Sequence, residues 1–363
     1  MQIDIINKCT VRDITCQAAI FPGAVKLVNG QILLHFVAGS DFESSDQHVM
    51  QARSIDRGLS WQVEKCIVAT DSLKTDEPFT FCCKPTVLEN GELITAGYGF
   101  FRDRPDMGLS DYATEYRHFP KMGNYLLHST DNGMSWSKLQ RIEHGYNGLE
   151  LSGPVLACND GALRLFATPF ELDAAENMGL TFISDDNGKK WSEGGKFFAS
   201  KDIAPWEVRS MQLPSGRIML VLWAFDLKRQ KHLNNHIVYS DDGGITWSQP
   251  IDSELRGQAS NWMLLAGKPA VLQARREGEG AGIYLNVMEH FDEEKCVFSP
   301  DVCIWNATGN GNRGNRIEEQ FASLKFGQPS AIHLDDGTWL LFFWSLANKE
   351  YSIQVWKLKI NGI

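Results

Sequence analysis

Three acidic residues in this sequence stand where a carboxyl could do chemistry. Asp46 lies in the loop Ala38-Gly-Ser-Asp41-Phe-Glu-Ser-Ser-Asp46-Gln-His48, Glu150 in Gly148-Leu-Glu-Leu-Ser152, and Glu207 in Trp206-Glu-Val-Arg209-Ser. Two carboxyls facing each other across a bound substrate can act as general acid and as base or nucleophile. An acid set directly before an apolar strand, as Glu207 is, needs a partner, and Arg209 and Arg276 are available to it. Asp46 has a second reading, as the cap of a loop turn. Trp206, Trp223, Trp262 and Trp344 offer aromatic faces of the kind that stack on sugar C–H surfaces, or else they fill the core.

Other chemistries have less support. The eight cysteines show no metal-ligand spacing, so no metal or other cofactor is expected, and reduced, mostly buried thiols are the reading for a chain of this size. Cys82 and Cys83 are neighbours on a strand and so point to opposite faces. With 35 Lys+Arg against 45 Asp+Glu, the net charge of -10 argues against a nucleic-acid partner. Apolar runs such as Ile218 to Phe225 are far shorter than the ~20 residues that cross a bilayer, so no membrane partner is expected. An acid, Asp4, interrupts the N-terminal apolar stretch, so no export signal is read and a cytoplasmic location is expected, or a secreted one if a leader has been trimmed.

The elements that must position these residues come from repeats. The octapeptide Ser-x-Asp-x-Gly-x-x-Trp occurs at Ser54–Trp61, Ser129–Trp136, Ser184–Trp191 and Ser240–Trp247. Its physics is that of a hairpin tip: the Asp accepts backbone N–H bonds, the Gly takes positive φ, and the Trp folds back over the strands below. These acids are therefore structural. A looser repeat of strand, turn and strand is marked by Gly30, Gly91, Gly161, Gly216, Gly267 and Gly337, spaced 61, 70, 55, 51 and 70 residues apart. Such spacing fits a unit of four short strands, and six such units predict an all-β fold, a single six-bladed β-propeller over residues 1–363. The boxes should fall between the third and fourth strands of the first four blades. The ring should close by residues 3–11 pairing with residues 351–360.

Repeated Asp boxes in a six-unit all-β chain resemble the propellers of the sialidase (neuraminidase) superfamily. That resemblance implies an axial site built from loops of all six blades, and a glycan or oligosaccharide as partner. Sialidases carry an arginine leading into the first blade, an acid/base Asp in the loop before the first box, a Glu leading into blade four, two later arginines and a Tyr nucleophile leading into blade six. On this match Asp46, eight residues before Ser54, and Glu207 are kept, with Asp41 a poorer fit than Asp46. Ile20 in Ile20-Phe21-Pro22 stands at the first arginine and Trp223 near the second; Arg275 or Arg276 can supply the third, and Gln328 stands at the tyrosine. A bidentate arginine cluster is what holds a sialic acid carboxylate, so a different, neutral sugar is implied.

Glu150 with Glu207 resembles the exo-arabinanase branch of the superfamily, and Asp46 with Glu207 the sialidase branch. Arg209, Arg275, Arg276, Lys84, Gln328 and Trp223 are the expected substrate-binding residues. The expected function is a glycosidase acting on a terminal sugar. Its alternatives are a binding propeller without turnover, or a polysaccharide lyase using Tyr98, Tyr116, His48 or His144. The polar insertion Phe101 to His118 either overhangs the site or forms a subunit contact, and Asn306 to Arg316 reads as a flexible loop or lid.

Overall fold

The computed structural model describes residues 1–68, 73, 77–171, 174–278, 280–307, 311 and 316–362. Its local geometry begins with the six hairpin glycines, all at φ between +74° and +93°. In that region a Cβ is strained, so a glycine at each tip lets the chain reverse. Among the described residues, the hairpins extend into six antiparallel sheets, each of four strands or of four with a split member.

The innermost strands are Ala18–Lys26, Phe79–Val87, the broken pair Leu149–Glu150 and Leu156–Ala157, Ile203–Gln212, Ser260–Leu265 and Phe326–His333. Neighbouring blades touch all the way round, from the first to the sixth and back. The sixth blade takes its outer strand from the other end of the chain: Gln2–Val11 pairs antiparallel with Glu350–Asn361, with one bulge between Ile5 and Asn7.

The core lies between blades. Blades six and one share Phe36, Leu340, Phe342 and Val355, while blades five and six share Leu272, Leu285, Leu341 and Phe343. The four Asp boxes sit between third and fourth strands of the first four blades. In the second box Asp131 accepts the Ser135 backbone N–H at 2.9 Å and the Ser129 hydroxyl at 2.8 Å, while Ser129 accepts the Gly133 N–H at 2.9 Å.

The box tryptophans do more than cover their own hairpins. Trp61 meets Phe342 of blade six edge-on with ring centroids 5.8 Å apart. Trp136 donates to Gln51 of blade one at 2.9 Å, and Trp247 packs on Phe166 and Phe197 of blade three. These three boxes thus fasten their blades to the preceding ones. Trp344 and Trp262 are core residues, and all eight cysteines are free thiols. The polar insertion of blade two folds into helix α1 (Leu109–Tyr116). A second helix, α2 (Ile317–Ala322), precedes blade six and packs against α1. Within the Asn306 to Arg316 run, residues 308–310 and 312–315 lie outside the described residues.

Candidate active site

Three of the inner strands gain an extra residue as they approach the axis. Their ladders slip between Ile20 and Gly23, between Trp206 and Arg209, and between Gly327 and Ser330. Each bulge holds a non-glycine residue in the left-handed region: Phe21 at φ +55°, Glu207 at +49° and Gln328 at +48°. That conformation costs an L-residue about 1–2 kcal/mol and re-aims its side chain. All three side chains line one axial cavity of about 160 Å³.

The buried end of the cavity is a polar relay. Lys84, 6% exposed, points its Nζ at the carbonyl oxygens of Phe21 (3.4 Å) and Pro22 (3.1 Å) and at Gln328 Oε1 (3.0 Å). Burial pulls the Lys84 ammonium below its usual range, with Arg209 adding to the effect and the Cys82 thiol and Glu207 opposing it. Gln328 in turn donates its amide to Glu207 at 2.8 and 3.2 Å, and Arg209 closes an ion pair with Glu207 at 2.8 Å. Arg209 is itself anchored on the Ser152 hydroxyl at 2.6 Å and on the Val208 carbonyl at 3.0 Å. Glu207 is therefore a carboxylate with a fixed orientation, held from blades four and six.

Glu150 is its opposite. It sits on the short inner strand of blade three, 5% exposed, and its Oε2 is buried without a hydrogen-bond partner. Burial first, and then the negative charge of Glu207, push its carboxyl up to about 7, against the opposing pull of Ser152, Arg209 and the Glu207 backbone. Near neutral pH a large share of it carries a proton. Two acids with opposed environments in one cavity are the arrangement that separates a proton donor from a carboxylate.

Arg276 completes this end. Its Nε donates to the Phe326 carbonyl at 2.9 Å and its Nη1 to the Gln258 carbonyl at 3.2 Å, and no carboxylate pairs with it among the described residues. Burial pulls it down to about 10, with Glu207 opposing and Arg209 adding to the effect. A Cβ on Gly327 would stand 2.0 Å from Nη2, so only glycine leaves room for this guanidinium. Tyr98 reaches the cavity from blade two, its hydroxyl pushed well above the usual range by burial, and further by Cys82, Glu150 and Glu207.

The structure brings Glu150, Glu207, Arg276, Gln328 and Trp223 to the cavity, while Lys84 and Arg209, expected to bind substrate, stand behind its lining against Gln328 and Glu207. It does not bring in Asp46 or Arg275. The exposed Asp46 carboxylate accepts the Ser44 hydroxyl at 2.6 Å and the Ser40 N–H and hydroxyl at 3.1 Å, closing its own loop. Three residues earlier, Glu43 lines the cavity instead, and its carboxylate holds the Ser110 N–H and hydroxyl at 2.8 Å each, at the start of α1. Burial raises the Glu43 carboxyl, with Ser110 and Arg102 opposing.

Arg275 turns outward to an ion pair with Asp301 and lies over the Tyr284 ring. At blade one the cavity is met by Phe21, not by Ile20, which is fully buried. Leu109, Ser110, Ala113 and Phe119 line the cavity, so the blade-two insertion overhangs it. Sequence reasoning missed Glu43 and the insertion's exact lining role, and it weighed Tyr98 only as a lyase base. Among the described residues no group of three or more His, Cys, Asp or Glu is placed to hold a metal ion, and no helix is long and apolar enough to cross a membrane.

The BNR/Asp-box repeat model matches residues 238–249, which contain the fourth box. No curated protein sequence matches the chain at a significant level. Among solved structures, a Dyadobacter fermentans protein of unknown function aligns at 19% identity and TM-score 0.77, over 99% of each chain. The NanB sialidase of Streptococcus pneumoniae aligns at 14% identity and TM-score 0.65, over 97% of this chain and 70% of its own. The Penicillium chrysogenum α-L-arabinanase, solved with arabinobiose, aligns at 16% and 0.62, over 93% and 92%. The shared feature is the fold, a sialidase-like Asp-box propeller.

Proposed function

We propose that this sialidase-like propeller is a glycoside hydrolase that removes a terminal sugar, with Glu150 as general acid and Glu207 as its carboxylate partner. The observation that carries the reading is the asymmetry of the two acids: a buried carboxyl with a free oxygen and a proton to give, beside a carboxylate locked by Arg209 and Gln328. In the reaction Glu150 passes its proton to the glycosidic oxygen as the bond to the anomeric carbon breaks, and the aglycone leaves as an alcohol. Water supplies the hydroxyl that replaces it. Glu207 acts either as base towards that water or as a nucleophile whose glycosyl ester the water opens. Trp223 lines the cavity beside the sugar, and Lys84, through Gln328, holds Glu207 in place.

On the resemblance Gln328 stands at the position of a sialidase tyrosine, and of the two arginines buried at this end Arg209 is committed to Glu207, which leaves Arg276 in the lining in place of an arginine cluster. Both features support a substrate without a carboxylate at that position. The test is incubation with a panel of aryl glycosides and sialosides, scoring released phenol. Cleavage of a neutral glycoside that is lost in Glu207→Gln supports the reading. Binding of glycans with no product after prolonged incubation overturns it in favour of a binding propeller.

A further inference from the structure

Most of the cavity's surface is apolar. Glu207, held by Arg209 and Gln328, keeps its remaining lone pairs for the reacting carbon or its water, while the Gln328 carbonyl is taken by Lys84 and both Glu43 oxygens by Ser110. At the buried end the groups with no partner among the described residues are Glu150 Oε2, Arg276 Nη2 and the Tyr98 hydroxyl. These three can serve one polar ring. A second sugar would bring several more hydroxyls, and each buried without a partner costs about 1–3 kcal/mol.

The walls are aromatic instead. Phe21 and Phe42 meet edge-on at 5.9 Å on one side, Phe119 and Phe170 lie tilted at 4.4 Å on a second, and Trp206 and Phe321 tilted at 5.9 Å on a third. All six rings are half-buried and line the same cavity, so each leaves surface facing into it. Leu109 of α1 and Ile317 of α2 line the same space, so the two packed helices border it with further apolar surface.

We infer that the group next to the reacting sugar is an apolar aglycone, aryl or alkyl, held between these three aromatic walls, and not a further sugar unit. The inference rests on the glycosidase reading for the sugar half and on the walls alone for the other half.

Two measurements keep the halves apart. First, 2-naphthol, an apolar probe with one hydroxyl, is titrated against tryptophan fluorescence of the full chain. Saturable quenching is expected, weakened at least fivefold in Phe170→Ser and in Phe119→Ser, with each variant's unfolding transition confirming that it is folded. Saturation that neither variant changes overturns the inference, as does the absence of saturation. Second, phenyl and 4-cyclohexylphenyl glycosides of the cleaved sugar are compared. Their phenols have nearly equal acidity, so a KM at least tenfold lower for the larger one reports the walls. Equal KM values with turnover present overturn the apolar subsite and leave hydrolysis standing. Naphthol binding with no glycoside cleaved overturns hydrolysis and leaves the apolar subsite standing.

Discussion

Replacing Glu150 by Gln should make the protein more stable at alkaline pH and progressively less so, relative to wild type, as pH falls. Glu150 has its folded-state carboxyl raised from 4.5 to about 7 by burial and by Glu207. Between those values the native state binds more protons than the unfolded state, so stability falls as pH rises. The favourable contribution is complete below about 4.5 and is lost by the time the pH has passed about 7. At ~1.36 kcal/mol per pKa unit the loss amounts to roughly 3 kcal/mol. Gln has the same shape and no charge to lose. For 363 residues, an unfolding entropy of roughly 2.1 cal/mol/K per residue converts this to about 4 °C. The assay is thermal unfolding of both proteins at pH 5 and pH 8. The melting temperature of Glu150→Gln minus that of wild type should rise by about 3 °C between the two, since part of the contribution is already lost at pH 5. A difference that is flat with pH, or that moves the other way, refutes the claim that Glu150 is a buried proton carrier.

Lys84→Met should destabilise by about 3 kcal/mol in denaturant unfolding, because it leaves the Phe21 and Pro22 carbonyls and Gln328 without their donor; a change under ~1 kcal/mol would contradict the relay. Asp46→Asn should leave turnover within a few-fold of wild type, whereas Glu207→Gln should lower kcat by about 10²–10⁴, and equal losses would return Asp46 to the site. In the second Asp box, hydrogen bonds from Ser135 and Ser129 hold Asp131 down to about 2. Its contribution is present above about 3.8 and lost as pH falls towards 2, so Asp131→Asn should be weaker at pH 7 yet lose less on acidification, as read by acid unfolding. Trp247→Ala should cost about 2–3 kcal/mol by removing its packing on Phe166 and Phe197 of the neighbouring blade; an unchanged unfolding midpoint would show that the box tryptophan does not fasten the blades.

The blades were legible because they rest on local chemistry. A glycine at a hairpin tip and an Asp-Ser pair in a box tip both act within a few residues of chain, so their spacing carries the fold. The site depends on longer-range geometry. Asp46 and Glu43 stand three residues apart in one loop, and only the docking of α1 on Glu43 shows which carboxylate faces the cavity. Arg275 and Arg276 are adjacent, and strand alternation sends one to Asp301 and the other inward. The bulges that turn Phe21, Glu207 and Gln328 towards the axis have no signature of their own, since none uses the glycine that usually marks positive φ. Glu207 was found as an acid set before an apolar strand, and Gln328 through the resemblance, at the position of the family's tyrosine; Phe21 was passed over for its neighbour Ile20.

The central claim is that Glu150 protonates the leaving group. It is tested most directly by kcat/KM of wild type and Glu150→Gln on two glycosides of the cleaved sugar, one with phenol and one with 2,4-dinitrophenol as leaving group. Phenol needs a proton to depart and 2,4-dinitrophenolate does not, so the variant should lose at least ~100-fold on the first and only a few-fold on the second. Equal losses on both substrates, or no loss on the phenyl glycoside, would contradict the assignment.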